Sequence, residues 1–230
     1  MASCKKDAVK LPDINLEAQK SIFSHLKAIN DAKGGSISIV ATSGFGKNSK
    51  KSYVLNASFV KDAQISSIDI DGNKFLPIQT NNFTSNDGNV LKSLFGKTIN
   101  VSLQSDSTAL QSRASSNLET SEPLEVSDGD SPTGSPSSIP RRVNLNWNGL
   151  NRGTVLILVI FNSQSVLNED FVSNPSVLNH YEVPDNGSYI LDETAFRGIP
   201  VGANVIVQVI RGRSTTLGSV GLYGSQAVVY

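Results

Sequence analysis

The side chains able to do chemistry in this 230-residue chain are few and mostly solitary: two histidines, one cysteine and one tryptophan. A hydrolytic triad needs a nucleophile, a base and an orienting acid brought together. His180 stands in His180-Tyr181-Glu182 with no G-x-S-x-G elbow to accompany it. One histidine without companion histidines or cysteines also makes no typical zinc site. His25 falls in a helical stretch, just outside the edge of its apolar stripe, and reads as a solvated or interfacial residue. Gly44-Phe45-Gly46-Lys47 invites a phosphate-loop reading. That pattern needs glycine at 41 and serine or threonine at 48, where the chain has Ala41 and Asn48. Asp69, Asp71 and Asn73 begin like a calcium loop, but Lys74 replaces its glycine and Thr80 its twelfth-position acid. Flanked by Ile68 and Ile70, they read as a strand entering a hairpin. Asp128 and Asp130 are weak calcium candidates, since two acids in a loop supply too few oxygen ligands. Paired carboxylates stay open as a catalytic device, because acids are plentiful, but no local pattern marks a pair. No catalytic residue, metal or cofactor is therefore expected.

Recognition is better supported than catalysis. Exposed aromatic rings are the usual handle for stacking on sugars, and Tyr181, Tyr189 and Tyr223 are the ligand-binding candidates. Trp147 alternates with asparagines and is expected in a core. Arg211-Gly212-Arg213 reads as a solvated basic hairpin end. Twenty basic and twenty acidic residues cancel, so no global field steers the chain toward nucleic acid, and no nucleic-acid partner is expected. The longest apolar run, 155–161, is far too short to cross a bilayer. A single cysteine cannot form an internal disulfide.

The elements that must position these groups are mainly β. The 38% hydrophobic content is low, and the chain is rich in Ser, Asn, Thr and Gly, which suits exposed β-structure. Residues 1–14 read as a tether. One helix is predicted over 15–33, capped by Asp13 or Asn15 and ended by Gly34-Gly35. Its stripe of Leu16, Ile22, Phe23, Leu26 and Ile29 is expected to pack on the first β-layer. Period-two patterns follow at 36–40, 53–59 and 65–70. Asp71-Gly72-Asn73 supplies a turn, and 94–103 reads as a turn and strand, so 15–103 is expected to hold the helix plus a small antiparallel β-module. Residues 104–142, dense in Ser, Pro, Gly and Asp, read as a flexible linker or long loop with a short strand at 123–126. Residues 143–230 are expected to form an immunoglobulin-like β-sandwich. Its strands include 143–147, a central strand at 155–161, 203–210 and 218–230, with a turn at Pro184-Asp185-Asn186-Gly187.

Ala2-Ser3-Cys4 resembles the end of a lipobox, where a signal peptidase cuts and the cysteine thiol takes a diacylglyceryl group. Cys4-Lys5-Lys6-Asp7 resembles the mature start of Bacteroidota lipoproteins. Ahead of it the basic and apolar parts of a signal peptide are missing, so the chain is expected to begin just before the cleavage point. The resemblance extends along the chain. A helix, then Ile68-Asp69-Ile70-Asp71-Gly72, Phe95-Gly96-Lys97-Thr98, Pro123-Leu124, a Trp-containing strand and Asp185-Asn186-Gly187-Ser188-Tyr189 follow in the order seen in poorly characterised Bacteroidota envelope lipoproteins with tandem β-modules. That resemblance implies lipid attachment at Cys4, and an outer-membrane lipoprotein facing the periplasm or the cell surface. The acidic cluster that directs some such proteins outward is reduced here to Asp7. The expected function is a lipid-anchored, non-catalytic binding or adhesion-type protein recognising a protein or glycan through sandwich loops. A structural or assembly subunit of a surface fibre or secretion apparatus is the alternative, and a glycan- or peptide-acting hydrolase has the least support.

Overall fold

The structure is a computed structural model that describes residues 32–45, 49–106, 114–128, 142–162, 175–199 and 204–229. Cys4, the tether, His25 and nearly all of the helix predicted over 15–33 lie outside the described residues.

The protein is mainly β, and its described residues form three sheets. In chain order the first half supplies β1 (Gly35–Gly44), β2 (Lys51–Phe59), β3 (Ile65–Ile70), β4 (Asn73–Phe75) and β5 (Asn82–Ser85). A five-residue helix α1 (Gly88–Lys92), β6 (Thr98–Ser105) and β7 (Ala114–Glu119) follow. The second half supplies β8 (Val126–Asp128), β9 (Arg142–Trp147), β10 (Thr154–Asn162), β11 (Pro175–Pro184), β12 (Ser188–Asp192), β13 (Asn204–Leu217) and β14 (Val220–Val229). A seven-stranded sheet runs β11-β10-β13-β14-β1-β2-β5, a four-stranded sheet β4-β3-β6-β7, and a three-stranded sheet β12-β9-β8.

Alternation dictates the strands. In β1, Ile37, Ile39 and Ala41 point inward and are buried, while Ser38, Val40 and Thr42 on the other face are only half-buried. The β3–β4 turn places Asp71 and Gly72 at positive φ (54° and 83°), the geometry of a two-residue hairpin. The Asp69 carboxylate accepts the Gly72 N–H at 3.0 Å, so this acidic run closes a hairpin as expected. The 155–161 run forms most of β10, where Val155, Leu156 and Ile157 are all buried although the strand lies second from the edge of its sheet.

Two apolar cores result, on one face of the seven-stranded sheet. The first joins Ile37, Leu55 and Phe83 to Ile68, Ile70, Ile99, Val101 and Leu118 of the four-stranded sheet, with Leu91 of α1. The second joins Val155, Ile157, Val207 and Val209 to Val143, Leu145, Trp147 and Leu191 of the three-stranded sheet. Both cores use β13 and β14. Leu217, Val220 and Leu222 belong to the first, and Val207, Val209 and Val228 to the second. Since β1 pairs in parallel with β14 along its whole length, residues from near the two ends of the chain build one continuous sheet beneath both cores.

Three local expectations are corrected. Part of the expected linker is ordered strand: β7 pairs with β6, and Leu118 is buried in the first core. The short strand expected at 123–126 starts at Val126 and runs to Asp128. Arg211-Gly212-Arg213 is not a solvated hairpin end. It lies within the fourteen-residue β13, and Arg211 is fully buried.

Candidate functional site

The tyrosine candidates separate into a pair and a single residue. Tyr181 lies on β11 opposite Ile157, and Tyr189 on β12 opposite Leu145, so both side chains point toward the second core. Because β11 and β12 are edge strands of facing sheets, the two rings meet across the open side of this sandwich. Their centroids are 5.6 Å apart and the planes tilt by 40°, a favourable aromatic arrangement. Both rings are half-buried against the core. Burial, with the nearby Asp192 carboxylate, pushes both phenols above their ordinary range, so they act as neutral hydrogen-bond groups. Asp192 accepts hydrogen bonds from the Thr194 hydroxyl and backbone N–H, which hold its carboxyl below the usual range. His180 is exposed on β11, and Glu182 accepts the Thr154 hydroxyl at 2.7 Å.

Tyr223 does not join them. It lies on β14, buried over Gly212 of the neighbouring strand, and is corrected from a surface candidate to a packed residue. Burial pushes its phenol up. Asp128 ends β8, and Asp130 lies outside the described residues. Among the described residues no three His, Cys, Asp or Glu side chains converge to hold a metal, and no helix is long and apolar enough to cross a membrane.

Sequence reasoning missed a buried polar junction between the two cores. Arg211 follows Val207 and Val209 on the inward parity of β13, and its register partner on β14 is Gln226. Arg211 donates to both oxygens of Asp185, through Nε at 2.7 Å and Nη2 at 2.9 Å. Trp147 Nε1 donates to the same carboxylate at 2.8 Å. Arg211 Nη2 also reaches the Asn148 carbonyl at 2.6 Å. Gln226 donates to the carbonyls of Ser121 and Glu122, each at 2.7 Å, and accepts the Leu124 N–H at 3.0 Å. Asn148 accepts the Glu125 N–H at 2.8 Å and donates to the Pro123 carbonyl. The whole network grips residues 121–125, in the segment crossing from the four-stranded to the three-stranded sheet. Two signals pointed to it: the unbroken parity 207, 209, 211, and an aspartate in the Pro184-Asp185-Asn186-Gly187 turn.

A shallow cleft of about 200 Å³ lies on the four-stranded sheet, lined by Ser67, Asp69, Lys74, Ser102 and Gln104 beside Leu103. Ser67 donates to Gln104 across it at 3.4 Å. Its lining is polar and its shape open, which fits solvated sheet surface.

Among the described residues the protein is mainly β, and the Tyr181–Tyr189 pair lies at an open sandwich edge. No protein-family model matches the chain, and a comparison with curated proteins found no significant match.

Proposed function

We propose that this protein is a non-enzymatic binding module of the cell envelope, anchored through lipid on Cys4, that recognises a protein or glycan at its second sandwich. The observation that carries the reading is the Tyr181–Tyr189 pair. Two neutral phenols span an open sandwich edge, with apolar ring surface near the exposed Asp192 carboxylate. Such a mix of ring faces and hydroxyls is what stacking and hydrogen-bonding recognition uses. The immunoglobulin-like description of the second half draws on β11-β10-β13-β14 facing β12-β9-β8, with Trp147 in the core between them. The anchor draws on Ala2-Ser3-Cys4 and the lysines after it.

Calorimetric titration of envelope polysaccharides and envelope proteins against the wild-type chain and Tyr181→Ser/Tyr189→Ser tests the site. A ligand whose affinity falls at least tenfold in the variant supports it, because truncating aromatic anchors commonly costs about 2 kcal/mol or more. A ligand bound equally by both proteins sinks it.

The assembly-subunit alternative draws on β11, a ten-residue strand at the edge of the seven-stranded sheet. An open edge can take a strand from another chain. Light scattering at rising concentration tests it: a strict monomer counts against self-assembly.

A further inference from the structure

The first and last described strands are neighbours in the middle of the largest sheet. β14 and β1 stand fourth and fifth in its seven-strand order, and they run parallel. Their pairing extends without a register shift from Gly35 opposite Val220 to Gly44 opposite Val229. The β10–β11 and β3–β6 pairs, by contrast, are each interrupted by an irregularity. Neither strand is an edge. β2 flanks β1 from Gly35 to Ser43, and β13 flanks β14 from Val220 to Val229.

Parallel pairing decides how this fold meets a pull. The chain enters β1 at Gly35, at the end of the pair where β14 begins, and leaves β14 at Val229, at the opposite end. Tension along the chain therefore draws the two strands past each other along their axes. All the ladder hydrogen bonds between them take that load together. In an antiparallel terminal pair both ends would leave on the same side, and the same tension would open the ladder one rung at a time.

The ladder is also shielded from water. Every residue of β14 from Val220 to Val228 is buried. Leu222 and Val228 join the two cores on one face, while Tyr223, Ser225 and Ala227 are buried on the other. Gly212 leaves room for the Tyr223 ring, since a Cβ there would stand 2.7 Å from its hydroxyl oxygen. Hydrogen bonds in such surroundings are stronger, and water is kept from replacing a rung under strain. At the entry end the Gly34 N–H donates to the Ser219 carbonyl at 2.9 Å, and the Gly34 carbonyl accepts the Val60 N–H at 3.3 Å. The fastening thus reaches one residue beyond the strand.

We infer that the β1–β14 pair is a shear clamp, and that this protein bears tension applied along its chain. Both cores draw on β13 and β14, so both stay folded until the clamp yields. The load that fits is a pull between two attachment points, one on each side of the fold. This function goes beyond ligand recognition and depends on neither Cys4 nor the tyrosine pair.

For the test, the full chain is held between reference modules of known rupture force and stretched in an atomic force microscope without ligand. Pulled from its two ends, it should yield in one main step of about 650 Å, the extended chain from Gly35 to Val229 less the folded strand. The rupture force should be severalfold higher than with the same modules attached at Ile206→Cys and the C-terminus, in a chain carrying Cys4→Ser. That second geometry peels β14 from the Gln208–Val229 rung onward. Val40→Pro removes a ladder donor from β1 and should lower the end-to-end force. If that variant does not fold, the comparison of the two geometries decides alone. Equal forces in the two geometries overturn the inference, as does an end-to-end force unchanged by Val40→Pro. A main rupture that releases much less than the stated length also overturns it, since part of the fold would then have yielded first. Because the traces are taken without ligand, failure of the Tyr181–Tyr189 site leaves this result standing, and failure of the clamp leaves that site standing.

Discussion

Arg211 and Asp185, twenty-six residues apart, meet through two parallel N–H···O bonds with neither side chain exposed to solvent. The carboxylate is further satisfied by Trp147 Nε1, and the guanidinium by the Asn148 carbonyl. A buried pair gains little over a well-packed apolar substitute, because both charges are desolvated. Leaving one member alone is a different matter, since the survivor stays buried and unpaired.

Arg211→Met should therefore destabilise the protein by about 3–5 kcal/mol, and Asp185→Leu by a similar amount. The double variant Arg211→Met/Asp185→Leu should lose clearly less than the sum of the two. Urea denaturation of all four proteins checks this through the coupling energy. Additive losses would show that the two residues act separately.

Gly149 illustrates a close approach the junction depends on. A Cβ there would stand 2.5 Å from the Gly187 nitrogen and 2.6 Å from the Asn186 carbonyl carbon. Those atoms are backbone of the turn that presents Asp185, so they cannot move aside cheaply. Gly149→Ala should cost about 1–3 kcal/mol as overpacking, read as a lowered urea midpoint. A variant as stable as wild type would show that the 184–187 turn adjusts freely.

The elements legible in the sequence were those set by local alternation. Ile37, Ile39 and Ala41 marked β1, and Val143, Leu145 and Trp147 marked β9, because a half-buried strand imposes period two on its own residues. The β3–β4 turn was legible from Asp71-Gly72. Neither β5 nor α1 was readable: each is short and its stability comes from one buried residue, Phe83 or Leu91. Arg211 was misread because neighbouring charges in Arg-Gly-Arg outweighed the parity that continued from Val207. The tyrosine pair could not be foreseen as a pair, since Tyr181 and Tyr189 lie on strands of different sheets and meet only once those sheets pack.

Stability should fall at both ends of the pH scale for different reasons. Asp71, hydrogen-bonded by Lys97, has its carboxyl held below the ordinary range, and so does Asp192 through Thr194. A depressed folded pKa contributes stability above the unfolded value, near pH 4, which is lost as pH falls through the folded value. Asp71→Asn should flatten the acid limb of a plot of urea midpoint against pH. An unchanged limb would remove Asp71 from the acid response.

Tyr223 acts in the opposite direction. Burial raises its phenol, favouring the neutral form in the folded state. Its contribution is fully present below the unfolded value, near pH 10, and is lost as pH rises through the folded one. Phenolate absorbance should show a tyrosine that titrates only with alkaline unfolding, and Tyr223→Phe should remove it and soften the alkaline loss of stability. An early, reversible titration of every tyrosine would contradict the packed position of Tyr223.

The polar junction should also make the two cores unfold together. β13 and β14 contribute to both, and between the two apolar groups lie Arg211 and Gln226, which hold Ser121, Glu122 and Leu124. Trp147, the only tryptophan, sits in the second core, so its fluorescence reports that core alone, whereas far-ultraviolet circular dichroism reports every sheet. In the wild type the two signals should give coincident urea transitions, as a single cooperative unit does. Gln226→Leu leaves the buried Leu124 N–H without its acceptor, which costs about 1–3 kcal/mol, and it removes one donor each from the Ser121 and Glu122 carbonyls, which keep the Gly96 N–H at 3.1 Å and Arg211 Nη1 at 3.4 Å. That loss falls on the crossing segment and not on either apolar core, so the tryptophan transition should separate from the dichroism transition in this variant. Coincident transitions in Gln226→Leu would mean that the continuous β13–β14 ribbon, not the junction, carries the coupling.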